Sequence, residues 1–280
     1  PSPRFTGEAQ VESRSAVAAG AGGLGQLVLN KVGVRFGGVA AVSGVDIVIK
    51  PQAITGLIGP NGAGKTTLLN AISGFAPVAE GSVDLDGIEL TGMTAAERAH
   101  QGVVRGFQTV RLLELETAFD NILVGCERAP QPGFFAQFLN LPSQRRCRER
   151  DLAAAHDIAE RLGLSDVVHR PVAELPFATR RLTEIARILV VRPKVLLLDE
   201  PAAGLDTRDR RQLTETLHAY HAAAPFTMIV IEHDVDLVRR MCSECVALAQ
   251  GSVIATGAPG AVLDSPSVRR AYFGDEAVRA

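Results

Sequence analysis

The chain has 280 residues, a formal net charge of −2 and a pI near 6.4. A chain of this length can bury a sizeable core, either as one large domain or as a core with a subdomain. Its charge balance argues against a general binder of nucleic acid or of membrane surfaces, and no apolar run in the sequence is long enough to span a bilayer.

The first part of the chain changes from a loose segment to predicted strands. Residues 1–25 are rich in Ala, Gly and Ser and lack periodicity, which predicts a flexible tail or linker. Alternating apolar residues in "QLVLNKVGVRF" and "VDIVIKPQAITGLIG" predict strands. In "SVDLDGIEL", the pair Asp86-Gly87 is the two-residue turn of a predicted hairpin.

The glycine-rich stretch "GPNGAGKTT" fits the pattern G-x-x-x-x-G-K-[ST]. An apolar strand precedes it, and "KTTLLNAIS" predicts a helix that ends at Gly74, which is the context this motif requires. Backbone N–H groups and the helix N-terminus of such a loop bind phosphates, the lysine reaches the β and γ phosphates, and the Thr66 hydroxyl can ligate Mg²⁺. The predicted nucleotide-binding residues of this loop are Gly59, Asn61, Gly62, Ala63, Gly64, Lys65, Thr66 and Thr67.

From about residue 115 to 190 the periodicity becomes helical. One apolar face of "DLAAAHDIAERLGL" contains Leu152, Ala155, Ile158, Ala159 and Leu162. "RRLTEIARILVVRP" has the same pattern, and the strand-like "KVLLLD" and "TMIVIEHD" follow with a helix-like stretch between them. This alternation predicts a parallel sheet with crossover helices. The expected fold is α/β: a phosphate-loop NTPase core with a parallel sheet, an N-terminal antiparallel β part and an inserted helical subdomain.

The stretch "VLLLDEPAAGLD" ends an apolar strand with two adjacent carboxylates. Because an unpaired buried carboxylate is costly, we expect a cation nearby. In phosphate-loop NTPases an acid at the end of a neighbouring strand holds Mg²⁺, and Asp199 has that position. Glu200 is expected to point elsewhere, toward a water, as a general base or water-orienting group. The alternative is a surface strand end with solvated acids, which the flanking aliphatic residues disfavour.

Four cysteines are too few for a disulfide scaffold. Cys242 and Cys245 form a lone C-x-x-C, whereas a structural zinc site requires a second close pair of ligands. We interpret the cysteines as reduced thiols, with zinc or redox chemistry as the alternative.

Together these motifs resemble the ATP-binding subunits of ABC transporters, over nearly the whole stretch 27–274. The resemblance implies ATP and Mg²⁺ as cofactors and one ATPase domain at 26–276, with its helical subdomain at about 115–190. It implies that Gln108 serves in catalysis and at the metal and links the metal site to that subdomain. It also implies that His233 contacts the γ phosphate and that Phe36 stacks on adenine.

Further details resemble one branch of this family. "RGFQTVRLL", the insertion at 127–150 and the "AYFG" stretch near the end look like the ATPase subunits of branched-chain amino acid importers, and subunits that serve urea or other small polar solutes have similar patterns. The resemblance implies hydrolysis coupled to transport by two paired domains, with Ala203–Asp206 as the D-loop. The implied partners are membrane permease subunits, a second ATP-binding subunit in a homo- or heterodimer and, indirectly, a solute-binding protein, but no nucleic acid. The implied location is cytoplasmic, at the inner face of the cell membrane.

One motif departs from the family pattern. The family's signature reads roughly Leu-Ser-Gly-Gly-Gln, where this chain has "LPFAT". Pro176 supplies neither a hydroxyl nor an N–H, and Ala178 adds a Cβ where glycine lets the backbone approach most closely. A proline is tolerated at the start of a helix and Thr179 can cap one, so we expect the helix to form. The partner-side contact to ATP is expected to work but to be weakened.

Other functional classes remain as alternatives. A chromosome or repair ATPase would carry long coiled coils, and a translation-factor type would carry two nucleotide domains, whereas this sequence has no sustained heptad run and a single phosphate loop. A nucleotide-binding regulatory protein, or a non-transport ABC protein with weak hydrolysis, stays open because the signature is altered.

Two patches of the predicted insertion have two interpretations each. The basic run Arg145–Arg150 is a solvated helix face, or it binds lipid headgroups or an acidic loop of a partner. Phe134, Phe135 and Phe138 suit docking to a membrane subunit as well as core packing within the insertion.

Overall fold

The computed structural model describes residues 25–106, 112–126 and 142–273. Several predictions fall outside these ranges: the tail before residue 25, the site residue Gln108, the aromatic patch of Phe134, Phe135 and Phe138, and the final Gly274.

The strands of the described residues belong to two sheets. In chain order they are β1 (Leu27–Phe36), β2 (Val39–Ile49), β3 (Ile54–Ile58), β4 (Glu80–Leu85), β5 (Ile88–Glu89), β6 (Val103–Arg105), β7 (Val195–Asp199), β8 (Thr227–Ile231), β9 (Glu244–Ala249) and β10 (Ser252–Gly257). The smaller sheet has the order β2-β1-β4-β5 and is antiparallel, and the larger has the order β10-β9-β3-β8-β7-β6. All neighbours in the larger sheet pair in parallel except β9 and β10.

The helices cover both faces of the larger sheet. In chain order they are α1 (Lys65–Ser73), α2 (Ala95–Gln101), α3 (Ala118–Val124), α4 (Pro142–Arg161), α5 (Phe177–Leu189), α6 (Thr207–Ala223), α7 (Val235–Met241), α8 (Pro259–Leu263) and α9 (Pro266–Phe273), with a 3₁₀ turn at Val172–Glu174. The predicted α/β fold with an antiparallel N-terminal part is confirmed. Helices α3, α4 and α5 pack on one another within the range predicted for the helical subdomain, whose bounds stay a prediction.

Strand β7 shows why the larger sheet is buried on both sides. Leu196 and Leu198 belong to the core formed with α4 to α7, whereas Val195 and Leu197 belong to the core between the two sheets. All four side chains are at most 2% exposed. An unbroken aliphatic run is the expected pattern for a parallel strand that is covered on both faces.

Local sequence signals place most element ends correctly. Asp86 and Gly87 both have positive φ, 51° and 81°, as the predicted two-residue hairpin turn requires. Helix α2 begins with a capping box in which the Thr94 hydroxyl accepts the Glu97 N–H and the Glu97 carboxylate accepts the Thr94 N–H. Gly163, at φ 71°, follows α4 as predicted.

The predicted apolar face of α4 is also found. Ala155, Ile158, Ala159 and Leu162 are at most 2% exposed, and Leu152 packs at the edge of the same core. No helix within 25–106, 112–126 or 142–273 combines the length and the apolar character that crossing a membrane requires.

Candidate functional site

The glycine-rich loop runs from the end of β3 to the start of α1. Gly59 and Gly64 have φ values of 149° and 98°. A Cβ would lie 2.2 Å from the Leu248 carbonyl oxygen at the first position and 2.5 Å from the Ala41 carbonyl oxygen at the second. Both positions therefore require glycine, because of their backbone conformation and because of the close approach of other strands.

The start of α1 is suited to an anion. Gly64 precedes the helix without a side-chain cap, and the first turn carries no acidic residue. The first N–H groups of a helix have no partner within it, and the helix dipole adds a partial positive charge. The loop therefore presents donors of the kind that phosphate oxygens accept, as the sequence predicted.

The Lys65 side chain is folded into this loop. Its ammonium donates to the carbonyl oxygens of Gly59 at 2.7 Å and Pro60 at 3.0 Å, and the residue is 6% exposed. Burial lowers the pKa of Lys65, while the carboxylates of Glu200 and Asp199 oppose this shift. The structure thus brings the predicted phosphate-binding lysine and both predicted acids into one electrostatic neighbourhood.

Sheet register explains this convergence. Leu57 of β3 pairs with Ile231 of β8, and Ile231 pairs with Asp199 of β7. The loops that follow these parallel strands therefore leave the sheet at one edge, where ligand sites of α/β proteins lie. One detail of the prediction is wrong: β8 lies between β3 and β7, so the Asp199 strand is not the immediate neighbour of the phosphate-loop strand. Helix α1 bridges the gap by packing against β7.

Asp199 is buried, at 2% exposure, rather than solvated. Its Oδ2 accepts a hydrogen bond from Arg105 Nη2 at 2.9 Å, and Arg105 also donates to the Asn70 side chain. Its Oδ1 is buried and has no hydrogen-bond partner among the described residues. A buried carboxylate oxygen without a donor suits a hard divalent cation, so Asp199 fits the predicted Mg²⁺ role.

Arg105 is the functional-site residue that the sequence reasoning missed. Its side chain is 8% exposed, and burial lowers the pKa of the guanidinium although Asp199 opposes this shift. The signal was present as a basic residue at the end of the apolar segment "GVVRG". A charged residue there needs a buried partner, and Asp199 was the predicted buried acid without one.

Glu200 has a different orientation from Asp199, as expected. Its φ is 52°, in the left-handed region, and its N–H donates to the Ile231 carbonyl oxygen at 3.0 Å. Its Oε1 accepts a hydrogen bond from His233 Nε2 at 2.8 Å, and both side chains are partly exposed. The two residues predicted for chemistry at the γ phosphate are therefore in direct contact.

A buried glutamate supports the loop that carries Glu200. Glu232 is 6% exposed, and its carboxylate accepts the Ala202 N–H at 3.2 Å. Burial raises the pKa of Glu232, and the backbone hydrogen bonds from Ala202 and His233 oppose this shift. The segment between β8 and α7 thus holds the segment after β7 by both its His233 and its Glu232 side chains.

The remaining predicted residues lie at the rim of the site or outside the described ranges. Asn61 and Gly62 are exposed on the loop, and Ala63 is buried. In the first turn of α1, Thr66 is exposed and Thr67 is partly exposed. Phe36 ends β1 with 53% exposure, and the following strand β2 reaches the loop at Ala41. Gln108 lies outside the described residues.

Helix α5 forms despite the altered signature. It begins at Phe177 with Pro176 at the capping position and no side-chain cap. The prediction that Thr179 caps this helix is wrong, because Thr179 lies inside the helix. Its carbonyl oxygen accepts a hydrogen bond from the Thr183 hydroxyl at 2.9 Å. Proline fixes the entry conformation of the chain, so the helix starts without a capping hydroxyl.

Cys242 and Cys245 are buried free thiols. Burial raises the pKa of each thiol to about 12. Across the described ranges, no three His, Cys, Asp or Glu side chains cluster as metal ligands. The geometry therefore gives no support to zinc binding by this pair.

Known proteins of one family are similar to this chain. The model of the family described as ABC transporter matches residues 42–203. The chain is 38% identical, over 89% of its length and 98% of the relative, to the high-affinity branched-chain amino acid transport ATP-binding protein LivG of Escherichia coli K12. It is 37% identical, over 86% of its length and 95% of the relative, to the corresponding protein BraF of Pseudomonas aeruginosa.

Solved structures of ATP-binding cassettes are also similar to this chain. A nucleotide-free ATP-binding cassette from an ABC transporter aligns with a TM-score of 0.76 and 31% identity, over 90% of this chain and 100% of that one. The ADP conformation of MJ1267, an ATP-binding cassette of an ABC transporter, aligns with a TM-score of 0.77 and 30% identity. This alignment covers 90% of this chain and 99% of MJ1267. The chain belongs to the ABC transporter family, as an ATP-binding member of a family that hydrolyses ATP.

Proposed function

We propose that the chain is the ATP-hydrolysing subunit of a membrane importer for branched-chain amino acids. The relatives named above are branched-chain amino acid transport ATP-binding proteins and match almost end to end. The observation that carries the ATPase part is the convergence of Lys65, Asp199 and Glu200 at one edge of the sheet.

The metal part of the proposal depends on Asp199. Its unpartnered, buried Oδ1 and the hydroxyl of Thr66, an exposed residue, are oxygen ligands of the kind that Mg²⁺ takes. Bound there, Mg²⁺ would neutralise charge on the β and γ phosphates. Lys65 and the N–H groups at the start of α1 would bind the same phosphates.

Glu200 and His233 are proposed to act as a pair. The Glu200 carboxylate would orient and deprotonate the attacking water, and the hydrogen bond from His233 would fix the direction of that carboxylate. Gln108 is proposed to take part in catalysis and to ligate the metal. Phe36 is proposed to stack on adenine.

The assembly remains a proposal as well. Two such chains, identical or different, would pair across the ATP and work with membrane permease subunits at the cytoplasmic face, and a solute-binding protein would act indirectly. Phe134, Phe135 and Phe138 are proposed for the surface that meets the permease. The second candidate, a nucleotide-binding regulatory protein with weak hydrolysis, is favoured by one observation: Pro176 gives α5 neither a capping hydroxyl nor an N–H at this position.

Co-isolation from membranes tests the transport proposal. The full chain, purified with its bound membrane subunits and supplied with a solute-binding protein, should hydrolyse ATP faster when leucine is added than when urea is added. Stimulation by urea alone would reassign the solute. An isolate in which the chain binds ATP but never turns it over faster with membrane subunits would favour the regulatory candidate.

A further inference from the structure

A tyrosine from the last described helix reaches the phosphate loop. The Tyr272 hydroxyl accepts a hydrogen bond from the Gly59 N–H at 2.7 Å, across 213 positions of the chain. Gly59 is the first glycine of the loop and follows β3 directly. Its N–H is therefore fixed by a side chain of α9 and not by a neighbouring strand residue.

Gly59 is also held at its carbonyl group, by the lysine of the phosphate loop. Its carbonyl oxygen accepts the Lys65 ammonium at 2.7 Å. Tyr272 and Lys65 thus bind the backbone N–H and the carbonyl group of one residue, Gly59. The φ of Gly59 is 149°, a backbone conformation that residues with a side chain rarely adopt. Movement of the Lys65 ammonium toward a phosphate would remove one of these two hydrogen bonds from Gly59.

Helix α9 is a firm support for this contact. Val268 is 2% exposed in the larger core, and the helix packs against β10 and α8. Burial raises the pKa of the Tyr272 hydroxyl, the hydrogen bond from Gly59 opposes this shift, and the nearby Cys245 thiol adds to it. Tyr272 as a whole is 37% exposed, and its hydrogen bond to Gly59 is partly buried.

Neighbouring C-terminal residues bind the outer side of the same loop. The Gly251 N–H donates to the Ala63 carbonyl oxygen at 3.0 Å. The Leu248 carbonyl lies where any side chain at Gly59 would have to go. The turn between β9 and β10 and helix α9 therefore form one support around the loop.

We propose that Tyr272 is a positioning residue for the phosphate loop: it holds Gly59, and through Gly59 it sets where Lys65 lies before nucleotide binds. Nucleotide that draws the ammonium from Gly59 alters the surroundings of the Tyr272 hydroxyl. This inference rests on the proposed binding of ATP phosphates by Lys65.

The composition of the chain provides a direct spectroscopic test. It has two tyrosines and no tryptophan. Tyr220 lies on α6, away from the loop, with its ring centroid 6.1 Å from that of Phe226. Tyr220→Phe therefore leaves Tyr272 as the sole tyrosine. Tyr272→Phe is the matched control, which reports the emission of Tyr220 and any absorption by the nucleotide.

Titration of the full-length Tyr220→Phe chain with Mg·ATP should change its tyrosine emission saturably, at the midpoint that calorimetry gives for binding. The same titration of Tyr272→Phe should give no saturable change. Unchanged emission from Tyr272 in a chain that binds ATP by calorimetry would overturn the inference. Absence of calorimetric ATP binding by the unmodified chain would overturn the proposed function and this inference with it.

Affinity gives the second readout. Tyr272→Phe keeps the ring and removes one neutral hydrogen bond, so the Kd for Mg·ATP should rise about threefold to tenfold. The thermal midpoint should fall by no more than it does in Tyr220→Phe. An unchanged Kd, or an equal rise in Tyr220→Phe, would contradict a positioning role for Tyr272.

Discussion

The Asp199 carboxylate is a buried charge whose two oxygens have different environments. Oδ2 pairs with Arg105, and Oδ1 has no partner among the described residues. A buried charge that loses its partner is strongly destabilising, while a pair removed together is often replaced at little cost. Arg105 therefore offsets the cost of burying Asp199 and leaves the other oxygen without a partner, as the proposed Mg²⁺ role requires.

A double-mutant cycle tests this pairing. Arg105→Met should lower the free energy of unfolding by about 3–5 kcal/mol, because Asp199 is left buried and unpaired. Adding Asp199→Asn should recover part of that loss, which denaturant unfolding of the four proteins can measure. Strictly additive losses would show that the two side chains do not stabilise each other.

Lys65 gives a prediction on nucleotide binding. Its ammonium would exchange the carbonyl oxygens of Gly59 and Pro60 for phosphate oxygens, which are charged acceptors. Lys65→Ala should raise the Kd for Mg·ATP about tenfold to a hundredfold in calorimetry. Lys50→Ala, at an exposed surface ion pair, is the control and should bind normally. Near-native affinity of Lys65→Ala would remove the loop from nucleotide binding.

Helix α1 links the phosphate loop to a buried arginine at its other end. Arg98 of α2 is 1% exposed, and its guanidinium donates to the carbonyl oxygens of Ala71 and Ile72 in the last turn of α1 and to those of Thr91 and Met93. A cation at this end is favoured by the helix dipole. The sequence could predict α1 from local pattern, but it could not predict that an arginine of the next helix would complete it.

Removing the Arg98 donors should destabilise the fold. Arg98→Met keeps apolar volume but leaves two buried and two partly buried carbonyl groups without this partner, so the free energy of unfolding should fall by about 3 kcal/mol or more. Arg146→Met, at an exposed position of α4, should stay within about 0.5 kcal/mol. Equal stability of the two variants in denaturant unfolding would contradict the role given to Arg98.

Helix α5 begins differently from the family's signature. Pro176 starts it without a cap, and Phe177, 48% exposed, lies against Gly204. The sequence correctly predicted that the helix would survive the proline, because proline is compatible with a helix start. It did not predict that Thr179 would lie inside the helix, since capping depends on where the first turn begins.

Restoring the signature tests whether this start limits turnover. Pro176→Ser with Ala178→Gly adds a hydroxyl and an N–H and removes a Cβ, so basal ATP turnover should rise about twofold to tenfold. ATP-driven dimerisation, followed by sedimentation, should rise in parallel. If both stay at the level of the unmodified chain, the two positions do not limit the site.

At the scale of the whole molecule, the site is built where distant parts of the chain meet. Ala41 of the small sheet, Leu248 of β9 and Tyr272 of α9 all approach the phosphate loop. The strands, the main helices and the loop were predictable because their signals are local patterns of a few residues. The pair Tyr272–Gly59, separated by 213 positions, depends on packing that no local pattern encodes. The pair Arg105–Asp199, separated by 94 positions, has only one local signal, the basic residue at the end of an apolar segment.

ATP turnover by Glu200→Gln tests the central claim most directly. The change keeps the size of the side chain but removes the carboxylate that would deprotonate the attacking water. Calorimetric affinity for Mg·ATP should therefore stay near that of the unmodified chain, while turnover falls about a hundredfold or more. Glu215→Gln, at an exposed position of α6, should change neither quantity. Unchanged turnover in Glu200→Gln would contradict the assignment of this edge of the sheet as the site of ATP hydrolysis.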